Sequence, residues 1–352
     1  MAKSPENILL TRFSALGDVA MTLPALYDAC LSNPEKHFYF LTRKHPARMF
    51  INRPDNLTIL GIDTDDYKGV GGMFRLAREL RSKYGIDLYL DLHSVLRTRL
   101  LALAMTLAGV RTRRLHKGRR DKRALTRRRH KVVLQVKPMT RRYLDVFRRG
   151  DIPLKGRFKS LFGDGKGDPA VFAAVTPPRA AGEKWLAVAP FAKHAGKIYP
   201  VELLDKVVGE FANKKDWKIF IFGFGADESA AIDKMCQGRP NVVNMARAEL
   251  GMDAEQHLLS HCTVMLSMDS ANMHLASLVG LRAVTVWGAT HPYAGFLGWN
   301  QNMADTVQLD MVCRPCSVFG NKPCLRGDYH CMHGIPPSLI IQKLLQTPSG
   351  KP

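Results

Sequence analysis

The run RFSALGDVAMTLP, Arg12 to Pro24, follows a short apolar segment, NILLT from Asn7 to Thr11, close to the start of the chain. A strand-like segment, then Ser14, Gly17 and Asp18, then a helix-compatible run is how a nucleotide-type α/β domain opens. Gly17 permits a tight turn, and Asp18 falls in the first turn of the next helix. Pro24 marks either a kink or the true start of that helix. A carboxylate at the carboxyl end of a first strand faces the crevice where such sheets bind ligands, although an aspartate there also serves as a helix cap.

The alternation continues downstream. HFYFLT (His37 to Thr42), Leu57 to Ile62 and IDLYLDL (Ile86 to Leu92) read as strands, with helices over Met73 to Tyr84 and Ser94 to Ala108. Asp63-Thr64-Asp65 has the D-x-D form of metal-using sugar transferases, but its Asp- and Gly-rich setting favours turn chemistry. Arg111 to Lys131 has little apolar periodicity and reads as a basic surface loop, followed by a helix over Met139 to Arg149. Gly150 to Pro178, rich in Gly, Pro and Lys, reads as an interdomain connection.

A second alternation then begins, with strands at KWLAVAP, KIFIFG, TVMLS and AVTVW and helices between them, ending in a helix over Pro337 to Leu345. Two successive α/β halves predict a two-lobed protein with a cleft. The final helix is free to cross back to the first lobe.

At 352 residues, with 46% hydrophobic residues, the chain can bury two sizeable cores. No apolar run approaches the roughly 20 residues of a membrane span, and MAKSPENILLTRFS lacks the apolar core of a secretory signal. A cytoplasmic protein is expected, and seven cysteines in a reducing compartment argue against a disulfide framework. The net charge of +21 is concentrated: Arg111 to Arg149 holds 17 Lys or Arg against two acids, Asp121 and Asp145. A localised cationic block implies a localised polyanion, whether nucleic acid, anionic membrane or phosphorylated substrate.

Three features of the second half fall at strand ends, the ligand side of such sheets. In HAGKIYP (His194 to Pro200), Lys197 precedes a helix whose free amides could join it on a phosphate. In FGFGADE, Gly223 and Gly225 permit close approach to a nucleotide and Glu228 could accept ribose hydroxyls, although two glycines also make an ordinary turn. In MDSANMH, Asp269 ends a strand and the helix from Ser270 starts with unsatisfied amides, either an anion site or a simple cap. Cys313-Arg-Pro-Cys316, with Cys324 and Cys331, has a first pair at zinc-like spacing; four thiolates could hold a structural zinc, or remain reduced thiols.

These segments together resemble glycosyltransferase family 9, the ADP-heptose:lipopolysaccharide heptosyltransferases of Gram-negative bacteria. RFSALGD-x-x-x-T-x-P, GKIYP, GFGADE and MDSANMHLASLVG followed by WGATHP occur in the family's order over nearly the whole chain. The resemblance implies an α/β GT-B fold: two Rossmann-like doubly wound domains facing across a cleft. Residues 1–165 would form the acceptor domain and 180–335 the nucleotide-sugar domain, with 336–352 as a C-terminal helix.

By the resemblance, Asp18 is the general base and Lys197 binds the donor diphosphate. The donor would also meet Tyr199, Gly223, Gly225, Glu228, Asp269, and the segment Ser270, Ala271, Asn272, Met273 and His274. Two positions depart from the family: Tyr199 often aligns with Trp, and Ala271 with Gly. Ser14, Gly17, His93, Arg97, Arg142 and Tyr143 are the acceptor candidates. The expected activity is inverting transfer of heptose from ADP-heptose to the lipopolysaccharide inner core, on Kdo-lipid A or a previous heptose, with no cofactor needed for catalysis. The enzyme would sit peripherally on the cytoplasmic face of the inner membrane, its basic block against the anionic surface. A nucleic-acid-binding protein is the rival reading, but the basic loop lacks interleaved aromatics, so no nucleic acid is expected as partner. A family 9 transferase using another nucleotide sugar is the nearer alternative.

Overall fold

The computed structural model describes residues 6–347. The described residues divide into two compact units: those up to Lys117 with Met139–Gly163, and Gly118–Pro138 with those from Asp164 onward.

The first unit opens with β1 (Asn7–Thr11), α1 (Leu16–Ala20) and α2 (Leu23–Ser32), so the helical run breaks at Met21 and Thr22 and restarts with Pro24 in its first turn. There follow β2 (His37–Arg43), α3 (Lys44–Ala47), β3 (Leu57–Ile62), α4 (Gly69–Tyr84), β4 (Leu88–Asp91), α5 (Leu96–Leu107) and β5 (Arg111–Arg114). After α6 (Arg119–Thr126), which belongs to the second unit, α7 (Met139–Arg149) returns to the first. The sheet order is β3-β2-β1-β4-β5, and every pairing is parallel.

The second unit holds β6 (Lys184–Ala189), α8 (Val201–Ala212), β7 (Trp217–Ile221), α9 (Ala226–Cys236), β8 (Val242–Asn244), α10 (Met252–His261) and β9 (Val264–Met268). It ends with α11 (Ala271–Leu278), β10 (Ala283–Val286), β11 (Thr306–Val307), α12 (His330–His333) and α13 (Pro337–Leu345). Its sheet, also parallel, runs β11-β10-β9-β6-β7-β8.

Strands buried on both faces explain the near-continuous apolar runs: VMLSM of β9 and LYLD of β4 are buried throughout. Strand order reverses direction beside β1 and β4 in one sheet and beside β6 and β9 in the other. Those reversals open crevices at the strands' carboxyl ends. Thr11 pairs with Asp91 and Ala189 with Ser267, so the loops after these four strands leave from adjacent positions.

Two expectations are corrected. The basic stretch from Arg111 is not a loop: Arg111–Arg114 pairs in parallel with β4 as an edge strand, and Arg119–Thr126 is helical. Ladder pairing at a free sheet edge overrides the weak strand pattern of RTRR. The C-terminal helix does not leave its unit: α13 packs on α8, β10 and β11, with Ile340 and Leu344 in that core. An apolar stripe satisfied locally has no reason to cross.

Candidate active site

In the first unit the chain leaving β1 is organised by Arg12, a residue the sequence reading passed over. Its guanidinium, only 4% exposed, donates from Nε to the Ser14 carbonyl (2.9 Å) and from Nη1 to that of Leu92 (2.8 Å). Nη2 pairs with Oδ2 of Asp18 at 2.5 Å. Asp18 also accepts from the Ala15 amide (3.3 Å), so it caps the short α1 as the plainer reading held. Its side chain is still 24% exposed, so the carboxylate meets solvent while one oxygen is fixed.

The loop after β4 is held by buried Asp91. Its carboxylate accepts from the amides of His93 and Ser94 (2.9 and 2.7 Å) and from the Thr98 hydroxyl (3.0 Å). Burial raises the Asp91 carboxyl above its ordinary range, and these bonds draw it back. His93 is buried, and its Nδ1 has no hydrogen-bond partner. Burial, then the cations of Arg12 and Lys117, push its imidazole down to about 3, so it is neutral at physiological pH.

The other acceptor candidates divide. Ser14 touches Arg12 through its carbonyl, and Gly17 lies inside α1. Arg97 is half-buried at the start of α5. Arg142 is buried and donates to the His116 carbonyl (3.2 Å), and Tyr143 is buried with its hydroxyl 3.5 Å from the Asp18 carbonyl. Both side chains are therefore buried in the first unit, a correction to their expected place as acceptor contacts, and Tyr143 lies against the Asp18 turn.

In the second unit Lys197 and Asp269 meet. The ammonium lies 2.9 Å from Oδ2 of Asp269 and donates to its carbonyl at 3.1 Å. Thr290, at the end of the loop after β10, donates its hydroxyl to the same Oδ2 (2.8 Å). The lysine's methylenes lie against Gly320, where a Cβ would come within 2.8 Å of Lys197 Cγ; with φ at +76°, that position suits only glycine. Ser270 is the N-cap of α11 without a side-chain cap bond, leaving the first-turn amides at Ala271 and Asn272 uncapped beside this cluster. Glu228 accepts from the Phe224 amide (2.8 Å), and Gly225, with φ at +84°, starts α9. An added Cβ at Gly223 would lie 3.3 Å from Glu228 Oε2.

Three donor candidates are corrected. Tyr199 is fully buried in the hydrophobic core and donates its hydroxyl to the Ile335 carbonyl at 2.7 Å, so its ring is a packing element. Met273 and His274 are buried on the inner side of α11, a consequence of helical periodicity that leaves only their backbone facing the first turn.

Behind the cluster stands Arg314, read from the sequence only as a spacer between cysteines. Its buried guanidinium donates to the carbonyls of Trp287, Gly288, Leu309 and Thr290 and to Oε1 of Gln308. One side chain thus fixes the loop carrying Thr290, which in turn orients Asp269. No sequence signal marks it, because four of its five partners are backbone oxygens.

The four cysteines Cys313, Cys316, Cys324 and Cys331 line one cavity of about 20 Å³. Burial raises the thiols of Cys316 and Cys331, the latter to about 11. Cys324 is lowered: burial opposes this, but the amides of Tyr329, Arg326, Gly327 and Asp328 donate to its sulfur. Among the described residues no three His, Cys, Asp or Glu are arranged to hold one metal ion, so of the two readings of these cysteines the zinc ligand set is not assembled. Asp63 accepts from the Asp65 amide (2.9 Å), an Asx turn at the D-x-D.

Comparison with known proteins bears on this arrangement. The family model "Glycosyltransferase family 9 (heptosyltransferase)" matches residues 73–323. Lipooligosaccharide heptosyltransferase 2 of Campylobacter jejuni is 26% identical over 167 residues, 46% of this chain; the chain spans about half (50%) of that relative's length. A glycosyl transferase family 9 structure from Veillonella parvula has a TM-score of 0.70 at 15% identity, covering 97% of this chain and 98% of that one. E. coli heptosyltransferase WaaC with ADP has a TM-score of 0.60 at 16% identity, covering 84% and 92%. These structures share the two-domain α/β fold built on parallel sheets. By the extent of the family match and the shared fold, the chain belongs to glycosyltransferase family 9, the heptosyltransferases.

Proposed function

We propose that this protein transfers heptose, with inversion, from ADP-heptose to the inner core of lipopolysaccharide. The observation that carries the reading is the cluster of Lys197, Asp269 and Thr290 at the uncapped start of α11. The Lys197 ammonium has three N–H donors and directs two at Asp269, so with the free amides of α11 it can also bind a diphosphate oxygen. The relatives support the substrate class: one is solved with ADP, and another is described as acting on lipooligosaccharide.

In the reaction, the acceptor hydroxyl oxygen bonds to the anomeric carbon as the bond from that carbon to ADP breaks. Asp18 takes the hydroxyl proton, and Arg12 keeps its carboxylate oriented. Lys197 and the α11 amides receive the charge growing on ADP, each donor worth on the order of 3 kcal/mol in the transition state. Residues 1–165 would serve the acceptor and 180–335 the donor. No described helix is long and apolar enough to cross a membrane, and we place the enzyme peripherally on the cytoplasmic face of the inner membrane, held by its basic segment.

The test is incubation of purified protein with ADP-heptose, or with other nucleotide sugars, and truncated lipopolysaccharides ending in Kdo or heptose, read by mass spectrometry. One added heptose with ADP-heptose alone is expected. Transfer of another sugar in its place, or no product on any acceptor, would overturn the reading.

A further inference from the structure

The segment after α6 combines two properties that rarely coincide on a soluble surface. Arg119, Arg120 and Arg123 on α6, and Arg127, Arg128 and Arg129 after it, are exposed. Immediately downstream, Val132, Val133 and Leu134 are 40%, 47% and 68% exposed, and Val312 beside them is 99% exposed. Four aliphatic side chains next to six guanidinium groups make an amphipathic patch, and water is a poor partner for half of it.

The patch is held rigidly. Lys131 lies between its two halves and donates from Nζ to the carbonyls of Val312, Cys313 and Arg314 (3.1, 2.9 and 2.9 Å), which joins the two aliphatic strips. The Val132 amide donates to the Ala124 carbonyl (3.1 Å), and the Val136 amide to that of Tyr293 (2.9 Å). Leu125 and Val136 are buried with Ala294, and Lys122 lies 4.0 Å above the Phe296 ring. Both ends are therefore anchored in the second unit, and the aliphatic side chains between them face solvent.

We infer that this patch is a bilayer-docking element: Val132, Val133, Leu134 and Val312 enter the headgroup region, and Arg127 to Arg129 bind anionic phosphates around them. A purely cationic patch would suit nucleic acid equally well, but exposed aliphatics gain nothing against a phosphate backbone. They gain in an interface whose deeper layer is hydrocarbon, and the flanking charge fits lipid phosphates. The inference deepens the membrane association proposed above by naming the residues that insert. It does not depend on the identity of the donor sugar.

The test uses the full-length protein and vesicles of phosphatidylcholine with or without phosphatidylglycerol. Partitioning onto the anionic vesicles is expected. Arg127→Glu, Arg128→Glu and Arg129→Glu together should lower it roughly 100-fold at low salt, at about fivefold per cation. The triple Val132→Ser, Val133→Ser, Leu134→Ser should remove mainly the binding that survives high salt, about tenfold or more. Leu134→Trp provides a direct readout, with emission shifting to the blue on anionic vesicles alone. Failure to partition, partitioning with unshifted Leu134→Trp emission, or tighter binding to short duplex RNA at the same salt would overturn the inference. So would loss of a self-associated state in the serine variant. Turnover with a soluble truncated acceptor should be unchanged in all variants, which separates this outcome from failure of the transferase reading.

Discussion

Replacing Asp18 by Asn tests the catalytic assignment and the ion pair behind it separately. Arg12 is buried and keeps two carbonyl partners, Ser14 and Leu92, whatever stands at position 18. Removing one partner of a buried pair costs about 3–5 kcal/mol when nothing replaces it. Here the carboxylate is 24% exposed and Asn still offers an oxygen, so the expected stability loss is about 1–2 kcal/mol. Asp18→Ala, which offers none, should lose about 3 kcal/mol. Neither exhausts a folding free energy of roughly 5–15 kcal/mol, so both variants remain folded at 25 °C.

The activity loss should be of a different order. Without a base, kcat should fall about 10²- to 10⁴-fold, which is about 3–5 kcal/mol of barrier. Combining Arg12→Met with Asp18→Asn removes the uncompensated charge but leaves the Ser14 and Leu92 carbonyls without their donor, so it should recover neither full stability nor transfer. Arg12→Met alone leaves the carboxylate present but unoriented, with an expected loss of about 10- to 100-fold in kcat. Heptose transfer by mass spectrometry and thermal unfolding read the two effects. A folded Asp18→Asn protein with kcat within tenfold of the parent would refute the base assignment, whatever its melting temperature.

Thr290→Val deletes the hydroxyl that holds Asp269, so KM for the nucleotide sugar should rise about tenfold, equivalent to about 1.4 kcal/mol, with little change in Tm. Arg314→Met leaves five oxygen acceptors without their donor, and should cost at least ~3 kcal/mol, or roughly 10 °C in the melting of its unit, measured by calorimetry. Acid should destabilise the first unit through His93. The folded imidazole titrates near 3 against 6.5 unfolded, so below 6.5 the unfolded chain binds a proton that the folded one refuses. Stability is then lost as pH falls from 6.5 towards 3, at up to about 1.4 kcal/mol per unit, and His93→Gln should flatten that part of the denaturation profile. Cys324, with its lowered thiol, should be alkylated by iodoacetamide at neutral pH well before Cys262, Cys30 or Cys331, as peptide mapping would show.

The sequence by itself determined the two α/β halves, because buried parallel strands need continuous apolar runs and each leaves its mark locally in NILLT, LYLD or VMLSM. It also placed Asp18, Lys197 and Asp269 in the segments that follow the carboxyl ends of strands. The tertiary structure alone decided which of those residues meet. Asp269 receives both Lys197 and Thr290 only because β6, β9 and β10 are adjacent in the sheet, an order that no local pattern encodes. The same limit hid Arg12 and Arg314, whose partners include backbone carbonyls with no sequence signature, and it misjudged Tyr199, which follows Lys197 by two residues but whose ring lies in the core. The strand at Arg111–Arg114 was hidden likewise, because pairing with β4, and not the propensity of four polar residues, makes it a strand.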